Sequence, residues 1–412
     1  MRPFTDRVSS LQPEGAYAVL ARAQALEAGG KKIIHFEIGQ PDLPTPANVC
    51  EAGITAIRNG RTKYTPPAGI PKFREIIAEY AGRQRGLKIS PDQVVVAGGS
   101  KPGLFFPTMA LVAPGDEVLY PDPGFPTYEA MIIAAGGVPV PVPLREENQF
   151  SFDLDIFDAR ISDRTKLIVL NSPGNPTGGV IPIGDLTHIA EKARKHDCWI
   201  LSDEIYSQLV YDGLTAHSVA EAEGMLERTV IVDGFSKTYS MTGWRLGYMI
   251  MPVALAERVE MLLTHAAGCT ANFTQYAGME ALTGPQDFVA EMASEYQRRR
   301  DRMLELVNAI PGIHAIKPQG AFYLFPNIKS YGIRSMEIAT RLIDEAGVAV
   351  LAGTDFGSGG EGHLRLVYAV SMETIEEGVE RIAAWFKKAL NPGGVGSPQN
   401  KKTGELYTSG LH

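Results

Sequence analysis

Cysteine is scarce in this chain: three residues, Cys50, Cys198 and Cys269, stand far apart among 412. Spaced so widely, they fit neither a disulfide framework nor a metal site, and they point to a reducing cytoplasm. Apolar runs long enough to span a bilayer are missing. The N-terminus, MRPFTDRVSS, has no apolar core and does not read as a secretory leader. Positive charge is not in excess either. A formal net charge of −8 leaves no footprint for nucleic acid and disfavours an anionic membrane surface. Repeats and low-complexity tracts are absent, and only the final stretch, NPGGVGSPQNKKTGELYTSGLH, loses apolar periodicity. Residues 391–412 are therefore expected to form a disordered tail.

What is present is the composition of a globular protein, 44% hydrophobic and 21% charged, in a chain long enough for two domains. Between residues 90 and 250, short apolar runs alternate with amphipathic segments. The runs are QVVVAGG (93–99), DEVLYPD (116–122), GVPVPVPL (137–144), KLIVLNSP (166–173), CWILSDE (198–204), TVIVDG (229–234) and RLGYMIM (245–251). Continuous Val/Ile/Leu runs separated by helical patterns such as DLTHIAEKARKHD predict an α/β fold with a mostly parallel, seven-stranded sheet sandwiched by helices. The prolines of GVPVPVPL place that run at an edge. A charged helix over about 287–309 opens a smaller α+β part. It is followed by a strand-like pair around Pro318–Gly320, the runs GVAVLAG and HLRLVYA, and a last helix through TIEEGVERIAAWFKKAL. The expected division is a large domain over 47–285 and a small one made of 1–46 and 286–390.

In parallel sheets ligands bind beyond the C-terminal ends of the strands, and the polar clusters of this chain fall there. AGGSKPG (97–103) reads as a capped helix start or as an anion site, since free N–H groups and the positive dipole end suit a phosphate. NSPGNPTG (171–178) is a turn cluster, or a rigid loop that aims the Asn175 amide at a ligand. In SDEIY (202–206), Asp203 ends a buried run and needs a partner, whether a helix start, an ion or a ligand. Tyr206 falls on the same side if the chain turns helical there. In VDGFSKTYSMTGWRLGY (232–248), Lys237 closes a strand of the same series. A desolvated lysine in a cation-rich pocket has a lowered pKa and forms Schiff bases with carbonyls. Arg245 carries a planar fork suited to a phosphate. Together these residues suit a ligand with an aldehyde, a ring nitrogen, a phenolic oxygen and a phosphate, which is pyridoxal phosphate.

With those motifs in order, and with YTPPAGIPKFRE ahead of them, the chain resembles the class I aminotransferases among the fold-type-I pyridoxal phosphate enzymes over residues 10 to 388. The resemblance implies that Lys237 is the catalytic, Schiff-base lysine and that Asp203 pairs with the pyridine nitrogen. It implies that Asn175 and Tyr206 bond the phenolic oxygen and that Phe125 stacks on the ring. Gly99, Ser100 and Lys101 match a phosphate-cradling helix start, with Arg245 as the phosphate's cation. Tyr64 matches a tyrosine that reaches the phosphate of a partner subunit, which implies a homodimer with shared sites. Arg365 would grip the substrate α-carboxylate, and Gly39 would line the substrate side beneath an N-terminal segment that closes over it. Gly234 stands where many members have Ser or Thr, leaving Ser236 or the backbone to bond the phosphate. No metal is implied.

The implied reaction is a ping-pong transfer of an amino group from an L-α-amino acid to a 2-oxo acid. Two rivals use the same residues. A C–S β-lyase or related enzyme would share Lys237 and Asp203. A non-catalytic sensor on this scaffold would add a basic DNA-binding segment, and none is found in these 412 residues.

Overall fold

In the computed structural model of the protein, residues 4–389 are described; the expected tail at 391–412 lies outside the described residues. A two-residue strand, β1 (Ile34–His35), comes first. The seven apolar runs then form β2 (Val94–Ala97), β3 (Glu117–Asp122), β4 (Val138–Pro143), β5 (Thr165–Asn171), β6 (Trp199–Asp203), β7 (Thr229–Gly234) and β8 (Gly247–Ile250). They make one sheet in the order β2-β8-β7-β6-β5-β3-β4. Only β8 runs antiparallel to its neighbours.

The unbroken apolar runs are explained by burial on both faces. Val95, Val230 and Val232 pack with Leu104 and Tyr128 on one side. Val94, Val96 and Ile231 pack with Phe73 and Ala277 on the other. Each such side chain removed from water contributes about 1.5–3 kcal/mol. Successive residues of one strand thus feed opposite cores, and this sets where the polar strand ends point.

The proline-rich run is the edge strand β4. Val138 and Leu144 donate their N–H groups to Asp116 and Asp122 beside and on β3. In a parallel strand alternate residues face the same neighbour, so Pro139, Pro141 and Pro143 take the outward positions, where no sheet partner needs a donor. The opposite edge, β2, is closed instead by the chain itself, with Val96 N–H donating to Ala68 O.

The C-terminal part is α+β. Strands β9 (Tyr323–Leu324), β10 (Val348–Ala349), β11 (Leu351–Ala352) and β12 (Leu364–Val367) lie with the helices Asp287–Asn308 and Met372–Ala389. The order β11-β12-β9 is antiparallel, and β10 pairs in parallel with β1. The strand pair expected around Pro318–Gly320 is not formed. A single bridge joins His314 to Asn327, while Gln319, Gly320 and Ala321 donate to Gly178 and Leu209 near the seven-stranded sheet. Those backbone groups serve the contact between the two parts in place of a hairpin. Among the described residues, no helix is long and apolar enough to cross a membrane, and no cluster of His, Cys, Asp and Glu could hold a metal.

Candidate active site

A cavity of about 510 Å³ opens at the C-terminal ends of the parallel strands. Of the sequence-predicted residues, Gly39, Ser100, Lys101, Phe125, Asn175, Asp203, Tyr206, Ser236, Lys237, Arg245 and Arg365 all line it. Gly99 lies against Arg245 just behind the wall. Tyr64 does not join them: it is 94% exposed and outside the cavity.

Asp203 ends β6 on the face that carries Tyr128, and its carboxylate accepts from Tyr128 Oη at 2.8 Å and from Ile205 N at 3.3 Å. Burial pushes its pKa up to about 6 despite those bonds. Such a carboxylate, buried without a cation, calls for a cationic or donor partner in the cavity. Tyr206 follows in a turn and not in a helix, and it faces the cavity. Its hydroxyl sits 2.6 Å from that of Tyr323. A hydroxyl has one donor and two acceptor sites, so Tyr206 can accept from Tyr323 and donate into the cavity.

Lys237 Nζ donates to Gly39 O at 2.6 Å, and its pKa falls to about 8. The cause is desolvation first, then the positive charges of Arg365 and Arg245. Arg365, on β12, is buried, and burial lowers its pKa as well. It lies between the rings of Tyr323 and Phe356, with its guanidinium carbon 4.7 and 4.8 Å from their centroids. Its Nη1 donates to Asn175 Oδ1 at 3.2 Å and its Nη2 to Glu37 O, while Nε is buried without a partner. An orphaned guanidinium donor in a cavity wall asks for an anionic ligand. Asn175 is held from behind: its N–H donates to Asn171 Oδ1 at 2.8 Å, and Asn171 Nδ2 donates to Asp203 O at 3.0 Å.

The helix Lys101–Leu111 starts without a side-chain cap. Ser100 already has helical backbone angles, so its hydroxyl does not fold back onto the first turn, and the capped-helix reading gives way to an open N-terminus. Gly99 has φ +97°, and a Cβ there would lie 2.2 Å from Arg245 Nη2. Arg245 itself sits at φ +54°, a left-handed conformation that costs a non-glycine residue about 1–2 kcal/mol. Its guanidinium is exposed and bonded to Thr242 O at 2.9 Å and Gly98 O at 3.3 Å. The departure at Gly234 also has a packing cause. It pairs with Gly247 across β7 and β8, and a Cβ on it would meet Gly247 Cα at 3.0 Å.

Four site residues escaped the sequence reading: Glu14, Tyr128, Asn171 and Tyr323. Tyr323 sits in an apolar run that reads as core, Tyr128 lies between Thr127 and Glu129 with no signal of its own, and Glu14 sits in a stretch without periodicity. Only Asn171, inside NSPGNPTG, carried a signal, and the strand register opposite Asp203 would have singled it out.

Comparison with known proteins identifies the family. Residues 31–382 match the family "Aminotransferase class I and II". A probable aspartate/prephenate aminotransferase of Aquifex aeolicus is 41% identical over 94% of this chain and 98% of its own. An aspartate aminotransferase of Pyrococcus abyssi is 40% identical over 92% and 97%. Among solved structures, the aspartate aminotransferase from Thermus thermophilus with maleate superposes with a TM-score of 0.89. It is 38% identical and covers 93% of this chain and all of that one. The chain therefore belongs to the class I and II aminotransferases, and it transfers amino groups between amino acids and 2-oxo acids.

Proposed function

We propose that the cavity binds pyridoxal phosphate on Lys237, and that the residues gathered there divide the work of a two-substrate amino transfer. The observation that carries the reading is the convergence of three poorly satisfied groups on one cavity. They are a lysine with a lowered pKa, a buried carboxylate without a cation, and an arginine with an orphaned Nε. The donor set fits that cofactor, and so does the glycine cradle, where a side chain on Gly99 would occupy the space of the Arg245 guanidinium.

When bound, the cofactor's conjugated ring supplies an electron sink for the bond broken at the substrate's Cα. Asp203 keeps a proton on the ring nitrogen by charge. Tyr206 and Asn175 hydrogen-bond the phenolic oxygen, and Phe125 covers the ring face. The open helix start at Gly99, Ser100 and Lys101 offers backbone N–H groups to the phosphate, with Ser236 and Arg245 beside them. Arg365 binds the α-carboxylate through its free edge and so orients the Cα–H bond, and Gly39 leaves room for the substrate. Lys237, with its lowered pKa, would take that proton as a general base through its free amine. Fixing the carboxylate is a positional effect, which in well-oriented systems accounts for several kcal/mol.

The remaining assignments extend this reading. Tyr64, exposed in a single chain, completes the site of a second copy in a homodimer. Residues 47–285 form the cofactor-binding unit, and 1–46 with 286–390 form the unit that carries Arg365. The three free cysteines fit a cytoplasmic setting. The test is a panel of amino donors with 2-oxoglutarate as acceptor. Glutamate should form only when donor and acceptor are both present. Release of pyruvate and ammonia without an acceptor would contradict the reading.

A further inference from the structure

Four basic residues line the cavity: Lys101, Lys237, Arg245 and Arg365. On the reading above, three have tasks, namely the proton, the phosphate and the α-carboxylate. Lys101 is left over, and its place is unusual. As the first residue of the helix Lys101–Leu111, its ammonium meets the positive end of the helix dipole, which disfavours a cation. An anion is needed beside it, and the chain provides one. Glu14 Oε1 pairs with Lys101 Nζ and also accepts from Thr127 Oγ1 at 3.3 Å. Lys101 Nζ lies 5.3 Å from the centroid of Phe125, so the pair stands beside the residue assigned to cover the ring.

Glu14 does not reach this position by chance drift of a loose arm. It directly precedes the helix Gly15–Ala28, and that helix is anchored. Arg22 forms a two-pronged bond to Asp344, with both contacts of its Nη2 at 2.6 Å. Gly15 approaches Asp355 so closely that a Cβ on it would lie 2.3 Å from the Asp355 Oδ1. The helix contributes Ala16, Tyr17 and Leu20 to the cavity wall, and Glu14, just before it, adds a carboxylate there.

We propose that Glu14 is a specificity residue: its carboxylate occupies the position at Lys101 that a substrate's own side-chain carboxylate would have to take. The site then favours amino acids with uncharged side chains, and aspartate or glutamate reacts only by displacing Glu14. Without that displacement, a distal carboxylate would enter a cavity whose one spare cation is already neutralised, next to a second negative charge.

The inference rests on the proposed function, and the experiment separates the two. Single half-reactions with aspartate and with leucine are followed in the unaltered protein and in Glu14→Gln. The ratio of kcat/KM for aspartate to that for leucine should favour leucine in the unaltered protein and rise by about tenfold in Glu14→Gln, the effect of freeing one charged hydrogen-bond donor. Glu14→Asp should fall between the two. Calorimetry adds a readout without turnover: succinate should bind Glu14→Gln about tenfold tighter than the unaltered protein, with no such gain for butyrate. In the double variant Glu14→Gln, Lys101→Met both gains should vanish. Aspartate preferred by the unaltered protein, or a ratio and a succinate affinity that Glu14→Gln leaves in place, would overturn the proposal. Failure of both donors to react would instead strike the proposed function.

Discussion

Two groups of buried charges gather on opposite sides of the sheet around the C-terminal ends of β6 and β7, and they are satisfied very differently. Behind the sheet, Arg85 donates to Glu204 at 2.8 Å and to Asp233 at 3.0 Å. Glu204 also accepts from Ser202 and Ser218, at 2.8 and 2.5 Å, and Asp233 from Tyr248 at 3.1 Å and from Gly234 N at 2.7 Å. In front, Asp203 lacks a cation, Arg365 has an idle Nε, and Lys237 has a single carbonyl partner. Asp203 and Glu204 are neighbours in sequence, so one residue step separates a finished network from an unfinished one. The contrast teaches where function lies. Charges whose bonds are complete hold the fold, and charges whose bonds are incomplete await a ligand.

The hardest test of this contrast is Lys237→Ala. Turnover should drop to background and the absorbance of lysine-bound cofactor should disappear, while circular dichroism stays native. Retained turnover without an added amine would break the assignment. Next comes a paired substitution. Arg85→Met leaves two buried carboxylates unpaired and should cost about 3–5 kcal/mol in urea unfolding. Arg365→Leu should change stability by less than about 1 kcal/mol, yet it should lower kcat/KM for every amino acid by at least about a hundredfold, the cost of removing a buried partner of a carboxylate. If the stability losses came out alike, the division between the two faces would fail.

The smallest effect concerns protons. In the cofactor-free protein, acylation of Lys237 should reach half its maximal rate near pH 8, well below the 10.5 of an ordinary lysine. Arg365→Leu removes a neighbouring cation and should move that midpoint upward. The same shift has a stability consequence. A lysine whose folded pKa is depressed is bound to fewer protons than in the unfolded chain between pH 8 and 10.5. Its cost is therefore full below pH 8 and fades as the pH rises towards 10.5.

Much of this was legible in the sequence because strands buried on both faces leave unbroken apolar runs, and because polar residues at their ends have few structural uses. Asp203, Lys237 and Asn175 could be found for that reason. Tyr128 and Tyr323 could not, since a tyrosine passes for a packing residue until its hydroxyl is seen to meet Asp203 or Tyr206. Arg85 and Glu14 were hidden by distance along the chain. Arg85 finds its partners 119 and 148 residues away, and Glu14 finds Lys101 after 87, and no local pattern encodes such pairs. The missing hairpin around Pro318–Gly320 has the same origin, because its backbone donors go to distant loops.

The alternating prolines of β4 bear on how crowded a solution of this protein can become. A sheet edge normally offers a row of donors to which a strand from another molecule can bind, and successive additions build an aggregate. Here the outward donors are replaced by three pyrrolidine rings, so an arriving strand finds no ladder to continue. Replacing Pro139, Pro141 and Pro143 by valine would keep the apolar character and leave every inward bond in place, but it would give molecules a means of joining edge to edge.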